Sequence, residues 1–413
     1  KIICVATSAL RDAPNSKEFI QKISRELKLN IKIIDGVKEA YFGGVAALNL
    51  LYATDFMTID IGGGSTEFCF VKDSKIEKSI SLNIGTIRLN ELFFNKNDIK
   101  GAKEYILDNL NEILDYTNDI PNTIVGIGGT IRALSKLVMK TNEYPLDVIH
   151  GYEYSVKKNS HIFDEILDTN SVEELKELGL KKDRFDTICE GTLIFKTIID
   201  TFKVKKIITS GAGVREGVYL ADLLRTSNHK FPHNFNPSVK SLLDRFEIDN
   251  KQSAYYGNNA AKIFDVLKPL HKIDDKYKTL LIIASKLHSI GVELNFYNHT
   301  DNTFDFILNG LNYDFLHSSR VLVAHIIKFS KNSLPKQRDI EVFEELLPDI
   351  EVVQWLSFMI TLNLTLNQDF SRINYVYEVK DNELIVSSQN IPYIVKTNID
   401  KIETPKNCKL KLK

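Results

Sequence analysis

Three features of the sequence predict an α/β chain that continues into an all-helical region and ends in a small β-rich one. Up to Leu224, short β-branched runs alternate with segments whose apolar residues recur at helical spacing. Beyond a polar stretch, Thr226 to Ser238 with Pro232 and Pro237, long amphipathic helices run to about Asn367. From Asn374 to Lys413 the apolar residues alternate, with strands expected at Val376 to Val379, Leu384 to Ser387 and Tyr393 to Lys396, ahead of a solvated lysine-rich tail.

A strand, Ile2 to Ala6, leads through a polar turn at Arg11 to Ser16 into a helix marked by Phe19, Ile20, Ile23 and Leu27. A second strand follows at Ile31 to Ile34, then a helix from Glu39 to Leu51. Phe56 to Ile61 is a short apolar strand ending in glycines, and Glu67 to Val71 and Ile76 to Leu82 are extended segments around the turn Lys72 to Lys75. The glycines therefore join two strands, whereas a P-loop or a Rossmann turn must open a helix. Helices are expected at Ala102 to Tyr116 and Ile131 to Met139, with strands at Thr123 to Gly126 and Lys206 to Thr209. Ser171 to Glu174 is a capping box for a helix stopping near Gly179, and a last helix follows Gly211 to Gly217 and runs to Leu224.

At 413 residues the chain exceeds the size at which one core keeps growing, so two or three domains are expected. The formal charge of −1 excludes a global positive field for nucleic acid, so a polyanion must be met by a local basic cleft. Cys4, Cys69, Cys189 and Cys408 are widely spaced, with no CxxC pair, which fits a reducing cytosol. No apolar run reaches the roughly 18 to 20 residues that span a bilayer. The opening Lys1-Ile2-Ile3-Cys4-Val5, without an initiator Met, reads as a chain entered just before or inside a strand.

The segment with the most chemistry is Asp60-Ile61-Gly62-Gly63-Gly64-Ser65-Thr66-Glu67. Glycines let backbone amides turn toward an anion, and Ser65 and Thr66 add hydroxyl donors. A hard cation such as Mg²⁺ takes oxygen ligands from one or two carboxylates together with phosphates and water, which suits Asp60 and Glu67. The plainer reading is a hairpin turn with two solvated acids.

Several segments in order resemble the exopolyphosphatase and guanosine pentaphosphate phosphatase family of the actin-like fold. They are Ala6 to Asn15 with Arg11, Gly36 to Ala40 with Glu39, the Asp60 to Glu67 loop, and Gly85 to Leu89 with Arg88. Gly126 to Thr130, Arg184 with Asp186 and Gly191, and Ser210 to Gly217 with Arg215 follow. The resemblance covers essentially the whole chain. It implies the remainder of a first actin-like (ribonuclease H-like) phosphatase domain at residues 1–56, a second at 57–226 with a helix returning to the first, an all-α HD-like domain at 235–370, and a small β-rich region at 371–413. It places the catalytic acid at Glu39, where Lys38 replaces a second acid of many members, and a phosphate-binding arginine at Arg11. The family's own first hairpin, with an Asp-containing Gly-Ser-Asn loop, is not in this sequence, so an upstream segment carrying it is expected.

The resulting expectation is hydrolysis of the terminal phosphate of inorganic polyphosphate or a guanosine polyphosphate in the cytosol. Water attacks in line, with Glu39 as base and Arg11 beside it. Mg²⁺ is held through Asp60 and Glu67, and donors come from Gly62, Gly63, Gly64, Ser65, Thr66, Gly128, Gly129 and Thr130. Each residue keeps a structural alternative: Arg11 as a helix cap or a partner of Asp12, Glu39 at the positive end of a helix, Thr130 as an N-cap, and Arg88 and Arg215 in packing. His150 reads as structural. In the helical domain the HD-type ligands fall at Gln252, His288-Ser289, Asp301 and Thr303, a set suited to structure or substrate grip rather than metal. A homodimer without nucleic-acid or membrane partners is implied. The rival readings are a kinase of the same fold and a guanosine polyphosphate sensor without turnover.

Overall fold

The computed structural model describes residues 2–116, 119–232 and 235–413. Residues 233 and 234, inside the polar stretch expected between domains, lie outside the described residues, as do 1, 117 and 118. The chain divides into two units, Lys1–Phe235 and Asn236–Lys413.

The first unit opens with β1 (Cys4–Ala6), the single helical turn α1 (Ser8–Arg11), α2 (Ser16–Leu27) and β2 (Ile31–Ile33), the two strands pairing in parallel. Then come α3 (Gly36–Leu50), β3 (Phe56–Ile61), β4 (Thr66–Lys72), β5 (Lys75–Leu82), α4 (Thr86–Leu92), α5 (Ile99–Tyr116), β6 (Thr123–Ile127) and α6 (Gly128–Thr141). The unit continues through β7 (Glu153–Ser155), α7 (Val156–Leu167), α8 (Val172–Glu177), α9 (Ile188–Thr201), β8 (Lys206–Thr209) and α10 (Val214–Leu223). Helices α4, α7 and α9 and the edge strand β7 add to the elements expected from the sequence.

Six strands form one sheet in the order β5-β4-β3-β6-β8-β7. β3, β4 and β5 are an antiparallel meander, whereas β3, β6 and β8 run parallel, with β7 antiparallel at the edge. The chain leaves β3 to one side and β6 to the other. Their carboxyl ends therefore border the switch point at which ligands enter open α/β sheets.

Both faces of the sheet are covered. On one, Phe56, Cys69, Val71, Val125 and Ile127 pack with Ala47 beneath α3, and α10 lies against α3. On the other, Met57, Ile59, Phe68 and Phe70 meet Ile106 of α5, Ile131 of α6 and Ile194 of α9. Because strand side chains alternate, Asp60 shares the α3 face with Phe56, and Glu67 shares it with Cys69 and Val71. Helix α3 comes very close at Gly44, where a Cβ would stand 2.2 Å from Cys69 Sγ.

The second unit packs α11 (Pro237–Arg245), α12 (Asn250–His271), α13 (Lys276–Leu287), α14 (His299–Gly310), α15 (His317–Lys328) and α16 (Ile350–Leu366). α16 is buried nearly all round, through Trp355, Leu356, Phe358, Met359, Ile360 and Leu362, and is the central helix. The unit ends with β9 (Val376–Lys380), β10 (Glu383–Ser387), α17 (Tyr393–Ile399) and β11 (Lys409–Leu412).

Two expectations for this end are corrected. Tyr393 to Lys396 is helical: Val395 and Ile399 are buried four residues apart, α17 packs on α16, and Tyr393 is left exposed. The lysine-rich tail is a strand paired in parallel with β10, Leu384 opposite Leu410 and Val386 opposite Leu412. Its Lys-Leu alternation half-buries Leu410 and Leu412 while the lysines stay exposed. Among the described residues no helix is long and apolar enough to cross a membrane.

Candidate functional site

Strand register brings the two loop acids together. Asp60 and Glu67 are directly paired across β3 and β4, on the face covered by α3. The turn between them closes with Gly62 N–H donating to Ser65 O at 2.9 Å. Amides at the start of α4 then take its carbonyls, Thr86 N–H on Gly62 O at 3.0 Å and Ile87 N–H on Gly63 O at 2.9 Å. Arg88 Nε donates to Gly64 O at 2.9 Å, so this arginine braces the loop. With the carbonyls engaged and, among the described residues, no hydrogen bond donated by the amides of Gly63 and Gly64, those two N–H groups are available to an anion. Ser8 and Asp12 border the space in front of Gly64.

Glu39 arrives from α3. Asp35 caps that helix, accepting from Lys38 N–H at 2.7 Å, which sets Glu39 in the first turn and leaves Lys38 paired with Asp35 at the surface. Arg11 comes from the end of α1, its Nη1 at 3.4 Å from Glu39 Oε2 and donating to Ile34 O at 3.0 Å. The looser approach to Asp12, 3.7 Å, is secondary. Arg11 and Glu39, 28 residues apart, thus form one half-buried pair beside the loop.

The carboxyls feel one another. Burial is the main cause that pushes Glu67 up to about 8, with the charges of Glu39 and Asp60 adding to it, while hydrogen bonds from Ser65 and Ser81 hold it down. Burial takes Asp60 up to about 6 against the opposing charge of Arg132. Glu39 is raised by burial and by Asp60, and lowered by Arg11 and Thr7. Burial and mutual repulsion thus disfavour the charged forms of these acids, a penalty that a divalent cation between them would relieve. Among the described residues no three His, Cys, Asp or Glu side chains close on one metal position. Asp60 and Glu67, paired across β3 and β4, are the two carboxylates that could hold a hard cation such as Mg²⁺.

The start of α6 abuts Asp60. Gly128 has φ +83°, and a Cβ there would stand 2.2 Å from Asp60 Oδ1. Ile127 is the N-cap of α6 and supplies no side-chain cap, which leaves the amides of Gly128 and Gly129 at the positive helix end beside Asp60.

Two hydroxyls expected at the phosphate point elsewhere. Thr66 is fully buried and donates to Ile84 O, and Thr130 is buried against Gly191. Ser65 is buried within reach of Glu67. Arg215 is a surface side chain paired with Glu216, and His150 is buried between Leu50 O and the amide of Gly211. Arg132 was not singled out in the sequence. It donates from Nε to Ser210 O at 2.9 Å and is the cation that acts on Asp60, and its place two residues after Thr130 was the available signal.

In the second unit three of the HD-type positions are engaged by protein partners. His288 sits edge-on to Tyr256 and bonds Ser285 O, Thr303 Oγ1 bridges Gly291 N–H and His288 O, and Asp301 pairs with Lys331.

The sequence matches the Ppx/GppA phosphatase family over residues 1–226 and domain III of that family over residues 236–392. It is 35% identical over 220 residues to a bifunctional 3-dehydroquinate synthase/phosphatase of Fusobacterium nucleatum, covering 51% of this chain and 33% of that protein. A guanosine-5'-triphosphate,3'-diphosphate pyrophosphatase of Aeromonas hydrophila is 25% identical over 299 residues, 70% of this chain and 58% of that one. Its namesake from Pseudoalteromonas translucida is 24% identical over 407 residues, 94% of this chain and 78% of that one. The chain thus spans less than two thirds of the first two of these relatives. An exopolyphosphatase structure from Cytophaga hutchinsonii shares the fold at TM-score 0.50 and 22% identity, over 55% of this chain and 76% of that one.

Proposed function

Because the chain belongs to the Ppx/GppA phosphatase family, we propose that it hydrolyses the terminal phosphoanhydride bond of inorganic polyphosphate or of guanosine pentaphosphate, with Mg²⁺ as cofactor. The observation that carries this reading is the meeting of Glu39, Asp60 and Glu67 on one face of the sheet, with Arg11 on Glu39 and two free amides in the loop. The names of the Aeromonas and Pseudoalteromonas relatives agree with it.

In this reading a water held by the Glu39 carboxylate attacks the terminal phosphorus and gives up its proton to Glu39. The P–O bond to the next phosphate breaks, and the shortened polyphosphate or the guanosine tetraphosphate leaves. Burial raises Glu39 above the ordinary carboxylate value, which makes it a better proton acceptor, while the adjoining Arg11 orients it and favours its charged form. The amides of Gly63 and Gly64, with those at the start of α6, bind the oxygens on which charge develops. Mg²⁺ held by Asp60 and Glu67 would neutralise phosphate charge that this acidic cluster by itself repels. A homodimer in solution belongs to the same proposal and is checked by light scattering.

The test is orthophosphate release from long-chain polyphosphate and from guanosine pentaphosphate, with and without Mg²⁺ and with no acceptor added. Mg²⁺-dependent release is expected. Tight guanosine polyphosphate binding without release would establish a sensor instead, and transfer only to an added acceptor would establish a kinase.

A further inference from the structure

Glu190, in the first turn of α9, is buried to 4% exposure, and the mechanism above makes no use of it. A buried carboxyl is costly to keep unless a neighbour answers it. Burial raises Glu190 above the ordinary carboxylate value, against hydrogen bonds from Asn90 and from its own backbone amide, and the charge of Asp186 adds to the rise. Among the described residues no cation pairs with it. Its side-chain partner is Asn90, whose Nδ2 donates to Glu190 Oε1 at 2.6 Å.

Asn90 belongs to α4, the helix that holds the glycine loop. With seven residues α4 is too short to be stable by itself and takes its place from its contacts. Its first amides take the carbonyls of Gly62 and Gly63, and Arg88 takes that of Gly64. Backbone lies on backbone here: a Cβ on Gly85 would stand 2.3 Å from Gly63 O and 2.6 Å from Gly64 C. A shift of α4 therefore passes to Gly63 and Gly64 with no side chain to absorb it. Leu89 anchors α4 in the core by apolar burial, which has no direction, whereas the next residue, Asn90, supplies a directed contact. On the other side of the bond, Gly191 lets α9 lie against α6, since a Cβ there would stand 2.5 Å from Thr130 Cγ2. The bond from Asn90 to Glu190 thus ties the loop, through α4 and α9, to the helix whose start abuts Asp60.

We propose that Glu190 and Asn90 are positioning residues of the candidate phosphatase site: their buried hydrogen bond fixes α4 on α9, and through α4 it aims the amides of Gly63 and Gly64. It rests on the proposed phosphatase reading. Donors aimed at developing charge act only when their position is fixed in advance, so a small shift of α4 slows the reaction without unfolding the chain.

The experiment uses three variants of the full chain. Asn90→Ala removes the donor without adding charge, and Asn90→Asp sets a second carboxyl against Glu190. Each should lower kcat/KM about tenfold for long-chain polyphosphate and tripolyphosphate alike, counted per folded protein from urea unfolding. Adding Glu190→Gln to Asn90→Asp rebuilds the bond with the donor on the other side, and should bring kcat/KM back to within about twofold of wild type. Wild-type activity in Asn90→Ala would overturn the proposal, and so would a pair variant that regains stability but not activity. Should the pair variant fail to fold, Glu190→Gln alone, whose amide oxygen still accepts from Asn90, should keep the wild-type rate while Glu190→Ala loses it; equal rates in these two overturn the proposal. Should wild type release no phosphate from any substrate, the phosphatase reading fails separately. The aim of the loop is then read by calorimetric titration with tripolyphosphate, about tenfold weaker in Asn90→Ala and recovered in the pair variant. Equal affinity in wild type and Asn90→Ala, or no binding to wild type, overturns it.

Discussion

Gly128→Ala tests how the turn between β6 and α6 protects the site. At φ +83° an alanine carries the left-handed penalty, about 1–2 kcal/mol. Its Cβ would also stand 2.2 Å from Asp60 Oδ1, where ordinary contact begins at 3.4 Å. Asp60 lies on a strand paired on both sides, to β4 and to β6, so its carboxylate moves more easily than its backbone. A displacement of about 1 Å in a group that orders the reacting centre costs about 10²-fold in rate. Urea unfolding should therefore show a loss of about 1–2 kcal/mol, and phosphate release from polyphosphate should fall about 10²-fold in kcat/KM. Gly128→Asn separates the two effects: Asn tolerates the left-handed region but carries the same Cβ, so stability should recover while activity does not. Full activity in Gly128→Ala, or activity restored by Asn, would refute the idea that this glycine serves the position of Asp60.

Glu39→Gln should lower kcat about 10²- to 10⁴-fold while leaving substrate binding measurable, and unchanged turnover would remove Glu39 as the base. Ser81 donates to Glu67 Oε1 at 2.9 Å, so Ser81→Ala should raise the Mg²⁺ concentration for half-maximal activity about tenfold; an unchanged Mg²⁺ requirement would count against Glu67 as a ligand. His325 is buried and held down to about 4 from 6.5, mainly by burial. Between those values the unfolded chain takes up a proton that the folded chain refuses, so this contribution to stability is lost as pH falls, about 3 kcal/mol across the window. Asp60 and Glu67, raised rather than lowered, act in the opposite sense, so the measurement is the difference in pH slope between wild type and His325→Gln. Equal slopes would contradict the assignment. Ser171→Ala removes the cap that accepts from Glu174 N–H at 3.2 Å and should cost about 1 kcal/mol in urea unfolding.

Much of the site was legible because strands alternate strictly. Asp60 and Glu67 flank a turn that joins two strands, and a two-residue period leaves little choice of face. Helix starts were legible where a cap is local, as at Ser171. The bracing of the loop by α4 was not, since it depends on backbone amides that any residue can supply. The hydroxyls of Thr66 and Thr130 were assigned to phosphate by residue type, yet their direction follows from packing against Ile84 and Gly191. At the C-terminus, four apolar-rich residues at Tyr393 fit either period, and their burial against α16 decided for the helix.

By itself the sequence determined the alternation of strands and helices around the glycine loop, the hairpin nature of that loop and the acids on either side of it, because these depend on neighbours within a few residues. Only the tertiary structure decided that the face bearing Asp60 and Glu67 is the one covered by α3. That packing sets Glu39 and Arg11 beside them, although 28 residues separate the two, and brings Arg132 toward Asp60. The physical reason is that burial and charge act through space: the rise of Glu67 to about 8 comes from desolvation and from Glu39, a residue of another element.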